Sequence, residues 1–152
     1  MRQDYPPEVM KEIFIQSIKK NEHKKAILCL VDTVKEVINP FSSKKTVDII
    51  VDYFNNKATI QDIQDEIKKI EKMDISIMSY NEYDSVHIAK HIAEIVIYMY
   101  NNPNDVGIGS LAWLVVLRAN KYSFHYNDHF EHLQRMYKTM KKHFPFDELF
   151  PI

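Results

Sequence analysis

Apolar residues recur along this chain at spacings of three and four, which is the period of an α-helix and not of a strand. The most apolar segment is residues 84–100, DSVHIAKHIAEIVIYMY, whose apolar side chains cover most of a helical cylinder. A helix that is apolar on most sides belongs in the middle of a bundle. We therefore expect this segment to be the central helix, with Asp84 or Ser85 as its N-cap.

Four further helices are predicted before the central one, because proline, asparagine, serine and threonine interrupt the apolar pattern at helix-length intervals. The fourth begins with a variant of the capping box, in which Thr59 is the N-cap and Asp62 occupies the third helical position. Residues 74–83 break the pattern and are expected to form a connection. The predicted bounds are Pro6-Pro7 to Lys20, Asn21 to Asn39-Pro40, Ser42 or Ser43 to Asn55-Asn56, and Thr59 onward.

Two more helices are predicted after the central one. The first of them carries Gly107 and Gly109 in its early turns, where the missing side chains allow another backbone to approach closely. Neighbouring helices should run antiparallel, because the connections between them are only a few residues long. The predicted bounds are a start at Asn104 or Ser110 for the first helix, and Asn127 or Asp128 to about His143 for the second.

Length and composition agree with one helical domain over residues 1–152. The chain is 45% hydrophobic and has two glycines, which favours helices and a real core over many tight hairpins. The predicted fold is an all-α compact bundle of about seven helices in antiparallel hairpins, with a short α-solenoid as the alternative. The aromatic C-terminal tail, residues 144–152, is expected to dock on this domain because an exposed tail of that composition would need a partner.

The charges are balanced, with 20 basic and 21 acidic residues. Because no global field favours a polyanion, neither nucleic acid nor an anionic membrane surface is an expected partner. No apolar run reaches the length of a membrane span, and no signal peptide is visible, so we expect a cytoplasmic protein. The single cysteine, Cys29, lies in an apolar helical pattern and is predicted to be a core residue.

The central helix carries one polar stripe, made of His87, Lys90, His91, Glu94 and Tyr98. His87 and His91 are four residues apart, a spacing that can direct both imidazoles at one metal ion. Glu94 follows on the same side, and His129 belongs to a second histidine cluster further along the chain. Lys90 on the same stripe opposes a divalent ion. Two interpretations stay open: a polar seam or solvated face, and a metal-dependent helical enzyme that uses His87, His91, Glu94 and His129.

No catalytic arrangement stands out from the residues themselves. The adjacent carboxylates Asp65 and Glu66 are predicted to lie on an exposed, lysine-rich face, so general acid–base chemistry has no evident pair. We therefore favour a non-catalytic protein-binding module that needs no cofactor. Its candidate anchors are aromatic residues, although each of them is more simply explained as covering the edge of the core. These candidates are Tyr98, Tyr122, Phe124 and Tyr126.

Four motifs carry a family resemblance: AILCLVDTVKEVINPF at residues 26–41, then YFNNKATI, IAKHIAEIVIYMY and SLAWLVVLRAN. In this order they resemble Imm5-type bacterial immunity proteins of polymorphic toxin systems, which are all-helical. The resemblance covers residues 22–119. It implies a cytoplasmic protein that binds and neutralises a toxin, and it identifies no site residue.

Overall fold

The computed structural model describes residues 7–38, 41, 43–121 and 129–144. These residues form eight α-helices and one 3-10 turn, Ile75–Ile77, with no strand among them. The all-α prediction is therefore confirmed. The helices are α1 Pro7–Lys19, α2 His23–Thr33, α3 Lys35–Ile38, α4 Lys44–Phe54, α5 Ile60–Glu71, α6 Tyr80–Asn101, α7 Gly107–Lys121 and α8 His129–His143.

Helix α6 is the central element, as its apolar pattern predicts. It packs against α3, α4, α5 and α7, and it contributes Ile88, Ala89, Ile92 and Ala93 to the fully buried core. Helix α1 packs along α7, and α8 packs on α2, so elements far apart in the sequence share one core. A solenoid repeat contacts only its neighbours. The compact bundle is therefore the observed architecture, and the solenoid alternative is wrong.

The start of the central helix lies one turn earlier than predicted. Ser79 is the N-cap of α6, and its side chain accepts a hydrogen bond of 3.1 Å from the N–H of Glu82. Asp84 and Ser85 consequently lie inside the helix and do not cap it. The polar first turn has no apolar periodicity, which is why the pattern assigned it to the connection.

The segment predicted as one helix from Asn21 to Asn39 is two helices. α2 ends at Thr33, whose hydroxyl donates a 2.7 Å hydrogen bond to the carbonyl of Cys29. Such a bond to the carbonyl four residues earlier slightly destabilises a helix and often bends it. Helix α3 starts at Lys35, directly after this break.

Asn21 ends α1 and does not cap α2, contrary to the prediction. Its φ of 61° places it in the left-handed region, which asparagine tolerates. The N–H of Glu22 donates to the carbonyl of Ser17 at 2.8 Å, and the N–H of Asn21 donates to that of Ile18 at 3.0 Å. These are the two hydrogen bonds of a Schellman motif. Asparagine suits both kinds of helix end, so its presence alone does not distinguish them.

The capping box of α5 is present as predicted. The Thr59 hydroxyl accepts from the N–H of Asp62 at 3.2 Å, and the Asp62 carboxylate accepts from the N–H of Thr59 at 2.8 Å. Helix α4 also ends where the sequence indicates, because Asn56 has a φ of 63° and the N–H of Lys57 donates to the carbonyl of Asp52 at 2.7 Å. Both helix ends are specified by short local motifs.

Helix α7 starts at Gly107, and neither Asn104 nor Ser110 caps it. The carboxylate of Asp105 accepts a hydrogen bond of 2.8 Å from the N–H of Gly107 instead. The predicted close approach occurs at Gly109, where an added Cβ would lie 2.6 Å from the Cα of Ile15. Glycine at this position lets α1 rest directly on the backbone of α7.

The C-terminal helix is held to α2 by polar contacts above an apolar face. Leu133, Met136 and Met140 are buried, and the His143 ring lies 3.0 Å from a carboxylate oxygen of Asp32. Although burial acts to raise the pKa of Asp32, the hydrogen bonds from His143 and Lys35 keep it below its usual value. Of the predicted aromatic tail, Phe144 is buried, and residues 145–152 lie outside the described part of the chain.

Cys29 is a core residue, as predicted, and burial raises the pKa of its thiol to about 12. The thiol is therefore neutral and unreactive at physiological pH. None of the described helices is both long and apolar enough to cross a membrane.

Candidate functional site

A groove of about 370 Å³ runs between α6 and α7 on the surface of the bundle. It has an apolar middle and polar groups at both ends. Five of its lining residues are exposed: Glu94, Tyr98, Leu111, Leu114 and Arg118. The residues that line it are His91, Glu94, Ile95, Tyr98, Leu111, Leu114, Val115 and Arg118.

On the α7 side, the exposed apolar wall of the groove comes from Leu111 and Leu114, and Leu117 continues their three-residue spacing just outside the lining. Leu111, Leu114 and Leu117 are 38%, 49% and 39% exposed. Side chains at this spacing lie along one side of a helix. The other side of α7 is buried against the core through Ile108, Ala112, Val116 and Ala119. Helix α7 is thus apolar on two sides, and only one of them is covered within the described chain.

One end of the groove is formed by a contact between Arg118 of α7 and His91 of α6. The guanidinium Nη1 donates a hydrogen bond to Nε2 of the imidazole. Because a guanidinium can only donate, Nε2 must be the acceptor, and the ring proton of a neutral His91 lies on Nδ1. That nitrogen is 3.4 Å from a carboxylate oxygen of Glu94.

The electrostatic surroundings keep His91 neutral. Burial lowers its pKa below the usual value of 6.5, and the Arg118 cation lowers it further, while Glu94 acts in the opposite direction. His87 and Lys90 on the same helix also lower it. An uncharged imidazole adds no charge of its own, so the charges at this end of the groove are the Arg118 cation and the Glu94 carboxylate.

The opposite end of the groove is formed by Tyr98, and Asp105 lies next to it, outside the lining. The Tyr98 hydroxyl donates to one carboxylate oxygen of Asp105, and the other oxygen accepts from the N–H of Gly107 at 2.8 Å. Both hydrogen bonds lower the pKa of Asp105, that from Tyr98 more, so this end carries a negative charge. The same pairing raises the pKa of Tyr98. The aromatic ring is thereby held in place beside the exposed leucines.

Of the predicted binding aromatics, Tyr98 lies at this groove and is 38% exposed. Tyr122, Phe124 and Tyr126 lie outside the described residues. The leucines and Arg118 were not identified from the sequence as a surface. The available signal was the three-residue spacing of leucines on the side of α7 opposite its alanines.

The histidines of the metal hypothesis form part of an aromatic row along α6. The ring centroids of His87 and His91 are 6.2 Å apart, and Tyr83 lies 4.3 Å from His87. Arg118 occupies Nε2 of His91, and a cation at that nitrogen opposes a divalent ion.

Of the other members of the proposed metal set, Glu94 lies beside the His91 ring, 3.4 Å from its Nδ1. No group of three or more histidine, cysteine, aspartate or glutamate side chains that could hold a metal ion occurs within the described ranges. The Nζ of Lys90 lies 3.6 Å from a carboxylate oxygen of Glu71 on α5. The side chain of His129 is not described, so the metal hypothesis that includes it stays a prediction.

The prediction that Glu66 is exposed is wrong. Its side chain is 5% exposed, and its carboxylate accepts from the Thr46 hydroxyl at 3.1 Å and from Lys69 Nζ at 2.9 Å. Glu66 lies three residues after Ile63 and four before Ile70, on the buried side of α5. Asp65, its neighbour, is exposed as predicted. Glu66 is thus a satisfied buried carboxylate that ties α5 to α4.

Compared with protein-family models, with curated proteins and with solved structures, the chain matches none. Its function must therefore be inferred from the chemistry of its own residues.

Proposed function

We propose that this chain is a non-catalytic protein-binding module whose docking surface is the groove between α6 and α7. Following the resemblance to bacterial immunity proteins, we propose that it neutralises a toxin or effector protein in the cytoplasm. The observation that supports the binding role is the exposure of Leu111, Leu114 and Tyr98 in the groove, with the exposed Leu117 next in the same row on α7.

Covering such a row provides a driving force for association. Each Å² of apolar surface removed from water contributes about 25 cal/mol, and contiguous apolar patches on soluble proteins commonly mark interaction sites. Tyrosine is also enriched among the residues that dominate binding energies. Scattered single leucines would need no such explanation, but these follow one another on a single helical face.

The arrangement of polar groups around the leucines is that of a protein interface. Arg118 and Glu94 line one end, and Asp105 adjoins Tyr98 at the other. An apolar centre with a polar, solvent-accessible rim is the usual anatomy of protein–protein contacts. From Leu111 to Arg118 the groove follows two turns of α7, or about 10 Å, which suits a segment of another protein.

The test begins with the protein encoded beside the gene for this chain. Co-expression should restore the growth of cells that produce that protein, and the two purified proteins should form a complex whose Kd is measured by calorimetry. Leu114→Asp should weaken the complex at least tenfold, because a carboxylate replaces apolar surface in the groove.

The matched control is Ile77→Asp, which changes a side chain that is 82% exposed on the 3-10 turn. This variant should bind like the wild type, and circular dichroism should show both variants folded. Equal binding by the wild type and Leu114→Asp would show that the groove is not the docking surface. A failure to protect cells or to bind would contradict the immunity role.

A further inference from the structure

The groove differs in charge between its two ends, and this difference restricts what it can bind. This inference rests on the proposed function and adds the chemistry of the partner. We propose that the groove takes an amphipathic helix of the partner protein, and that a carboxylate on that helix pairs with Arg118.

The shape of the groove fits a helix. Two antiparallel helices form its walls, since Tyr98 and Leu111 lie at one end while His91 and Arg118 lie at the other. The exposed leucines present an apolar strip two turns long. A partner helix would fill such a strip with apolar residues at positions i, i+3 or i+4, and i+7.

Arg118 supplies the specificity in this arrangement. Its side chain is exposed, and in the described chain its hydrogen-bond partner is the neutral ring of His91, not a carboxylate. A guanidinium has five N–H donors in a planar fork that matches a carboxylate, so donors remain for a bidentate pair. The contact with His91 holds the fork at the end of the groove, which reduces the ordering needed on binding.

The other charges at the groove set the orientation of the partner helix. Glu94 lies beside Nδ1 of His91, and Asp105 is engaged by Tyr98 and Gly107 at the far end. A partner carboxylate would be repelled by Asp105 at the far end, whereas at the near end the Arg118 cation offsets Glu94 and offers its donor fork. The acidic position of the partner helix should therefore lie at the Arg118 end.

The experiment uses a display library of amphipathic helical peptides selected on the immobilised full chain. Selected peptides should carry aspartate or glutamate at one position flanking the apolar stripe. Replacing that residue with its amide should weaken binding roughly tenfold or more, as expected for a charge-assisted bidentate pair. The Arg118→Gln variant should bind the acid and amide peptides equally. The Arg118→Lys variant should show only part of the wild-type difference in affinity between the two peptides, because lysine lacks the planar fork.

The control for a general charge effect is Lys121→Gln, which removes an exposed cation one turn further along α7. It should change the affinity less than twofold. This inference would be overturned by peptides that lose binding in the Leu114→Asp variant but show no preference for a carboxylate. The proposed docking surface would still stand. If no selected peptide depends on the groove, the result would count against both this inference and the proposed docking surface.

A second copy of the chain is the remaining occupant to test. Sedimentation should show that the chain does not self-associate through this face. A dimer that dissociates in the Leu114→Asp variant would show that a second copy of the chain occupies the groove, and this result would overturn the inference.

Discussion

Gly109 of α7 lies so close to Ile15 of α1 that a Cβ on the glycine would be 2.6 Å from the Ile15 Cα. Real Cβ atoms do not approach a backbone this closely, so the contact admits no side chain at residue 109. The opposite side of α7 carries the exposed leucines. The position of α1 therefore decides which side of α7 is left as the groove.

Gly109→Ala should lower the free energy of unfolding by about 1–3 kcal/mol, because α1 must move away from α7 to admit the methyl group. Urea denaturation measures the change. Gly107→Ala is the control, since its Cβ would meet only the Asp105 side chain, at 3.0 Å. Its effect should be clearly smaller. Gly109→Ala with wild-type stability would show that the two helices are not in this contact.

Ser79→Ala should destabilise the fold by about 1 kcal/mol, because the N–H of Glu82 loses its capping acceptor. Asp84→Ala, at the position that the sequence suggested as the cap, should leave stability unchanged or raise it slightly. Burial raises the pKa of Asp84, which shows that its charged form is disfavoured there. Thermal denaturation of the two variants distinguishes the two candidate N-caps of α6. Ser79→Ala must lose more stability than Asp84→Ala.

Stability should decrease as the pH falls below 6.5 because of His91. Its pKa is lower in the folded protein than in the unfolded chain, so the unfolded chain binds the proton first. The contribution of neutral His91 to stability is fully present above pH 6.5. It is lost as the pH falls through the lowered pKa of His91 in the folded protein. His91→Gln keeps an acceptor for Arg118 and removes this titration. Between pH 7.5 and 5, its unfolding free energy should therefore fall less than that of the wild type; parallel curves would exclude the effect.

Glu66→Ala should lower the free energy of unfolding by about 1–3 kcal/mol, because it leaves the buried Thr46 hydroxyl without its acceptor and opens a space between α4 and α5. Asp65→Ala, one residue earlier and exposed, should change stability by less than about 0.5 kcal/mol. Chemical denaturation of both variants makes the comparison. Similar losses in the two would mean that Glu66 is not buried against α4.

Features that depend on a few consecutive residues were predictable from the sequence. The capping box at Thr59 and Asp62, the end of α4 at Asn56 and the buried faces of α6 follow from local hydrogen bonding and helical periodicity. The predictions of helix ends were wrong where two different assignments satisfied the same local preferences. Asn21 suited either end of a helix, and Ser79, which was assigned to the connection, is a residue type that caps helices as readily as Asp84 and Ser85.

Burial of polar residues and exposure of apolar ones were decided by packing between helices. Glu66 lies on the apolar side of α5, and the charge pattern alone placed it in solvent. The leucines of α7 are as apolar as its buried residues, and only the positions of α1 and α6 leave them uncovered.

The sequence by itself determined the helical class, several of the helix ends and the identity of the central helix, because these depend on interactions within about one or two turns of chain. The tertiary structure alone decided the groove and the pairing of His91 with Arg118 across it, 27 residues apart. That pairing requires α6 and α7 to pack at one particular register. Register is set by how the side chains of several helices fill a common core, which no single segment encodes.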